Sequence, residues 1–412
     1  MLSLRVWTKV GVCIAVFFSK ALFVSAAQPS VAERLHSISQ HLKNLRYEAA
    51  LNEASQAEYL LRNESPIDTL ALADCLRMEA TALRKLKKVE ASWAKLIAAE
   101  HLLKQSHSVR KYDVWASVLN QMGLITNSKG NYQAAMGYYD RIFDFNKRGW
   151  IRRREAIAEA YLNKTNSLDY LAEYDQAVAL QQEGIVYCEQ FLDKNHPKIA
   201  DLWNNMGGIK RRQGQLQAAQ VCYQNALKVF VFNFGTNHPE SYFFYNNLGN
   251  VYFASGNIER ASDYFQKGWD SYLKNHSANE PPADVFFVNM ANIQLKAGAY
   301  QWAYDYFQKA LEIRKKNYGN DHPTTATTYN YVAGVLTLQK KYAEAIQLYQ
   351  KALAIYQKYK LEAQPEIADC YDNLGVTYSA LGKYSQALFF LRQGLHLSTE
   401  IYGSNHYRNP IA

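Results

Sequence analysis

Cysteine is scarce in this chain of 412 residues: Cys13, Cys75, Cys188, Cys222 and Cys370, none in a CxxC pair. That argues against a disulfide framework or a thiolate metal site, and the four beyond the N-terminus read as small buried hydrophobes. No glycine-rich phosphate loop and no nucleophile motif occurs, and ligand-type side chains do not cluster. The expectation is therefore no catalysis, no cofactor and no metal. Basic runs are short, and a net charge of +9 is mild for this length, so composition does not point to nucleic acid. Long apolar runs are also missing. Val10 to Val24 comes nearest, but Lys20 interrupts it, and a membrane span needs about 20 apolar residues.

Those first residues read instead as a secretory signal. Arg5 and Lys9 give a positive start, the apolar run follows, and Val24-Ser25-Ala26-Ala27 offers small residues for cleavage. Cys13 fits a lipoprotein site poorly, since Gly11-Val12 precede it. Residues 1–27 are thus expected to be removed from an exported protein, periplasmic, envelope-associated or secreted, with no stable membrane span afterwards.

A repeat dominates what remains. Stepping by 42 from Gly249 gives anchors at Gly123, Thr165, Gly207, Gly249, Ala291, Ala333 and Gly375. Twelve residues beyond each stands alanine in all seven: Ala135, Ala177, Ala219, Ala261, Ala303, Ala345 and Ala387. Four residues before each stands a bulky side chain, from Leu119 through Trp203 and Tyr245 to Tyr371. Small residues at fixed places imply backbones in close approach, with bulky ones filling the space around them. At +7 come Gly130, Gly214, Gly256, Gly298 and Gly382, with Ala172 and Lys340 in the other two units. Glycine there ends a helix in a left-handed conformation. Apolar residues at +9, +12, +16 and +19 follow helical spacing, not strand alternation. Each unit predicts two helices, and a fixed period of this length predicts a stack of them.

These columns resemble the tetratricopeptide repeat family, whose signature is aromatic, small, aromatic, alanine, aromatic. The family's usual unit has about 34 residues. The longer unit here, with junctions such as FGTNHPE (234–240) and YGNDHPT (318–324), is similar to the kinesin light chain subgroup. The resemblance implies an all-α solenoid of stacked antiparallel helix pairs, a tetratricopeptide superhelix, whose concave face binds protein or peptide partners.

The expected layout follows. Residues 28–111 hold two weak repeats anchored at Ile38 and Ala80, residues 112–406 hold seven clear ones, and 407–412 form a tail. Divergent end units are normal, because an end repeat faces water on one side. Proline at a helix's first turn restarts the first helix at several junctions. His196, His238, His322 and His406 recur one repeat apart, which suits junction capping and cannot bring them to one ion. The junction KRGWIRRREA (147–156) lacks His-Pro and is strongly basic, reading either as a solvated turn or as a contact for an acidic partner or anionic surface.

Asparagine recurs on the first helices. Two residues before the anchors it gives Asn163, Asn205, Asn247, Asn289 and Asn373; one residue after them, Asn166, Asn250 and Asn292. Asparagine is a middling helix former, so its recurrence calls for a reason. An amide both donates and accepts, matching the backbone of an extended peptide. Two readings stand open: a peptide-binding groove, similar to that of kinesin light chain repeats, or bonding between neighbouring repeats. Function is expected to be that of a non-catalytic exported binding scaffold whose partner is a protein or peptide. The alternative is a structural or assembly component of a cell envelope acting through the solenoid ends. For the latter, Phe389, Phe390 and Leu397 on the last helix are candidate contacts for a partner or for self-association, since no polar helix follows to cover them.

Overall fold

The computed structural model describes residues 29–236, 238–274, 276–359 and 365–402, so the expected leader and tail lie outside the described residues. Every regular element among them is helical. The chain divides into two compact units, ending and starting at Glu173 and Tyr174. This division falls inside the repeat anchored on Thr165, whereas the change from weak to clear repeats falls at 111/112.

The first unit contains α1 (Val31–Lys43), α2 (Tyr47–Asn63), α3 (Thr69–Lys85), α4 (Val89–Gln105), α5 (Lys111–Ser128), α6 (Tyr132–Lys147) and α7 (Glu155–Tyr170). The second contains α8 (Tyr174–Phe191), α9 (Pro197–Arg212), α10 (Leu216–Phe234), α11 (Ser241–Ala254), α12 (Ile258–Leu273), α13 (Ala283–Lys296), α14 (Tyr300–Tyr318), α15 (Pro323–Leu338), α16 (Tyr342–Lys358), α17 (Pro365–Ala380) and α18 (Tyr384–Tyr402). The two weak repeats are complete helix pairs, α1/α2 and α3/α4.

Helix ends follow the columns. All nine residues at +7 have positive φ, from Leu45 (58°) and Lys87 (61°) in the weak repeats to Gly382 (72°). The amide that follows closes each turn by bonding back into the helix, as Asn257 N–H does to the Tyr252 carbonyl. Second helices then begin at the +9 residue. Pro197 and Pro323 open α9 and α15 at the first turn. Before them, His196 and His322 cap through Nδ1, which accepts from the N–H of Lys198 and Thr324. His238 does the same for Glu240. His196, His238 and His322 thus carry a local capping role at their junctions, and His406 lies outside the described residues.

Packing explains the small columns. The +12 alanines are buried, six of them at 0% exposure. A Cβ placed on Gly249 would lie 2.5 Å from the ring of Phe265, and one on Gly207 would lie 2.8 Å from Tyr223. Gly123 against Tyr139 is tighter still. First and second helices therefore meet with a ring lying on bare backbone. Rings such as Phe265, Phe307, Tyr139 and Tyr349 are almost wholly buried, each contributing about 1.5–3 kcal/mol of burial. First helices also touch the next first helix, as α5 does α7 and α15 does α17, while second helices bridge from one pair to the next.

Two substitutions test this account in opposite directions. Gly249→Ala forces the Phe265 ring off its seat and is expected to cost about 1–3 kcal/mol in denaturant unfolding. Lys340→Gly relieves a left-handed lysine and is expected to stabilise by about 0.5–1 kcal/mol, because the relief outweighs the extra freedom of the unfolded chain.

Candidate functional site

The asparagines that the sequence singles out lie where first helices meet. Asn163 Nδ2 donates to Asn120 Oδ1 at 3.3 Å, Asn247 to Asn204 at 2.8 Å, Asn289 to Asn246 at 2.6 Å, and Asn373 to Asn330 at 3.2 Å. Each bond joins the −2 position of one repeat to the −3 position of the repeat before it. Asn120 extends the chain by donating to the Ala156 carbonyl at 2.8 Å. Where −3 is Val288, the next −2 is Tyr331, so the amide is absent from both sides of that joint. Of the two readings left open, inter-repeat bonding is thus realised at these four asparagines. Peptide contact has to use the amide atoms that those bonds leave over.

A second polar tie runs beside the first. Ser167 Oγ donates to Asn127 Oδ1 at 2.9 Å, and the Thr337 and Thr377 hydroxyls lie 2.8 Å apart. Both join +4 of one repeat to +2 of the next. Sequence reading missed the −3 and +4 columns. The signal was there: every asparagine at −3 (Asn120, Asn204, Asn246, Asn330) is followed 43 residues later by another.

Asn166, Asn205, Asn250 and Asn292 are half-buried on the same helices. Asn292 has a further setting. With Asn330 and Asn373 it lines a 290 Å³ pocket on the first-helix face of α13, α15 and α17. Phe307 and Tyr349 supply rings from the second helices, Leu295, Leu338 and Val376 are apolar walls, and Tyr331 stands at the rim. The pocket exists because Gly334 occupies the +1 position. A Cβ there would meet only the Tyr349 hydroxyl, at 3.7 Å. At the equivalent Gly208, by contrast, the guanidinium of Arg212 comes within 3.7 Å of that point. Leu338 and Val376 are 49% and 56% exposed, so the site presents apolar surface alongside three amides. Two larger hollows, of 330 and 480 Å³, include none of these asparagines.

Nothing in this site resembles an activated nucleophile. The described cysteines are buried and unbonded to one another. Burial, reinforced by Glu79 and Glu58, pushes the Cys75 thiol up to about 12. Burial likewise takes Cys188 to about 12 and Cys222 to about 11. Among the described residues no three metal-type ligands converge, and no helix is long and apolar enough to cross a membrane.

The end contacts expected on the last helix separate into three cases. Phe389 is 57% exposed, as are Leu388 (51%) and Leu391 (38%) to similar degree. Phe390 packs on Tyr378, with ring centres 5.4 Å apart. Leu397 is buried in the core of the second unit and is corrected from a surface contact to a packing residue. Helical spacing turns it towards the preceding helices.

Residues 198–274, 284–358 and 324–400 match the tetratricopeptide repeat model. This is a tetratricopeptide repeat protein. No curated protein matches it. Among solved structures, the tetratricopeptide stack is similar to the apo form of RapI, at 14% identity over 90% of this chain and 98% of that one, with a TM-score of 0.65. A Rap protein complexed with competence and sporulation factor matches at 13% identity over 90% and 98%, TM-score 0.61. Repeats of a putative kinesin light chain from Podosopora anserina match at 18% over 50% and 97%, TM-score 0.41. At these identities the likeness to the two Rap structures establishes the all-α repeat fold alone.

The amide ladder makes a measurable claim. In a double-mutant cycle, Asn246→Ala and Asn289→Ala should show a coupling of about 0.5–1.5 kcal/mol in denaturant unfolding. Additive losses would mean that the two amides do not work as a pair.

Proposed function

We propose that this tetratricopeptide protein is a non-catalytic scaffold that holds an extended segment of a partner protein or peptide on its first-helix face. The observation that carries this reading is the Gly334 pocket: an opening for an apolar side chain, lined in part by Asn292, Asn330 and Asn373. The Asn330–Asn373 bond uses one amide hydrogen of Asn373. An amide has a second hydrogen and a two-lone-pair oxygen, enough to meet a backbone N–H and C=O. Asn205, Asn247, Asn250 and Asn289 extend the same contact along the second unit, and Asn163 and Asn166 offer a contact of the same kind in the first. The Rap relative complexed with a factor is a precedent in this fold for a bound partner. We further propose export, supported by the leader-like pattern of residues 1–27.

Gly334→Leu tests the pocket without attacking the fold. Leucine is the better helix former by roughly 0.8–1 kcal/mol, and its side chain fills the opening. The expected result is unchanged or raised thermal stability together with loss of a partner captured by the unaltered protein. Retention of that partner at full affinity rejects the pocket as the contact.

A second reading has its own observation, the exposed face of Leu388, Phe389 and Leu391 on α18. If the chain acts through its end, light scattering on the full chain should show concentration-dependent association, lost in Phe389→Ser. A monomer at high concentration counts against self-association.

A further inference from the structure

The junction between α6 and α7 departs from the others in sequence and in chemistry. It has no His-Pro cap. Instead both Arg152 N–H and Arg153 N–H donate to one carboxylate oxygen of Asp113, at 2.8 and 2.9 Å. That ties the turn to α5 and fixes its backbone. The side chains of Arg152 and Arg153 are exposed, as are Arg110 and Lys147 at the neighbouring helix ends. No ion pair engages any of these four among the described residues. Two nearby acids are occupied, Asp113 with the two amides and Asp144 with Arg148 at 3.0 Å. In the run from 147 to 155 the only acid is Glu155.

Beneath these charges lies a cluster of rings. Tyr112 packs on Trp150 with centres 4.5 Å apart, on Phe145 at 5.1 Å and on Trp115 at 6.1 Å. Cations already lie over them: Arg148 over Trp150, Lys111 over Tyr112 and Arg141 over Trp115, at 4.9, 5.4 and 5.6 Å. The ring cluster stiffens the ledge, and its faces are used within the protein.

We propose that this ledge is a docking surface for an acidic segment of a partner protein, separate from the first-helix pocket. Guanidinium groups bond carboxylates through two parallel N–H donors. Because the four charges have no internal acid partner, binding breaks no existing ion pair, and the fixed turn lowers the ordering cost. A single-stranded nucleic acid fits less well, since it requires open aromatic faces for its bases. A membrane surface fits less well too: Ile151 is buried, and Val109 beside Arg110 is a single exposed valine, far short of the apolar face that an interfacial segment inserts.

The test is fluorescence anisotropy of a labelled oligoglutamate peptide with the full chain. Binding at low salt that weakens as salt rises is expected. Arg152→Gln with Arg153→Gln should weaken it about tenfold, the scale of one or two lost charge-assisted bonds. Arg110→Gln with Lys147→Gln should also weaken it; neither side chain takes part in the Asp113 bonds that hold the turn, so this pair decides the matter if the first variant misfolds. The proposal fails if the peptide does not bind at low salt. It also fails if correctly folded variants bind as well as the unaltered chain. Tighter binding of a charge-matched single-stranded oligonucleotide, or of phosphatidylglycerol vesicles, overturns the choice of partner.

Discussion

A ring lying on bare backbone governs this architecture. Where Gly249 meets Phe265, no Cβ fits between the helices. That single approach sets the distance between the two helices of a pair, and the buried alanine at +12 keeps it along the second helix. Repeating the contact every 42 residues makes each pair present the same surfaces to the next. First helices then abut first helices, and the polar columns meet. The ladder of asparagines follows from the glycine–ring contact and does not cause it.

The contact also shows tolerance. Ala291 and Ala333 take the anchor position and still lie in one core with Phe307 and Tyr349. Thr165 departs further, and its counterpart sixteen residues on is Gln181. Thr165 Oγ1 and both amide atoms of Gln181 are buried without a hydrogen-bond partner, a costly arrangement by the standards of protein interiors. The chain divides into its two compact units within this same repeat.

The amide column illustrates how one residue type answers two demands. Burying an unpaired amide is expensive, so asparagines between first helices must bond to something. In four joints they bond to each other. At the Val288–Tyr331 joint both partners are replaced, and Tyr331 lines the Gly334 pocket together with Asn330 and Asn373 of the next joint. Stacking and recognition therefore share the face: amide pairs hold neighbouring repeats, and the bonded Asn330–Asn373 pair also lines the apolar room beside Gly334.

Much of this was legible before any coordinates. Period, helix, break and restart are local properties, written in the spacing of Gly249, Gly256, Ile258 and Ala261, and the backbone obeys them because sterics and helical geometry act over a few residues. Even the weak repeats kept their left-handed turn at Leu45 and Lys87. What only the tertiary structure decided was which side chains face each other across 43 residues. Asn289 finding Asn246, Leu397 turning into the core, and Gly334 left uncovered while Arg212 approaches Gly208 all depend on side-chain direction between helices, where angles and distances are set by packing rather than by any spacing along the chain.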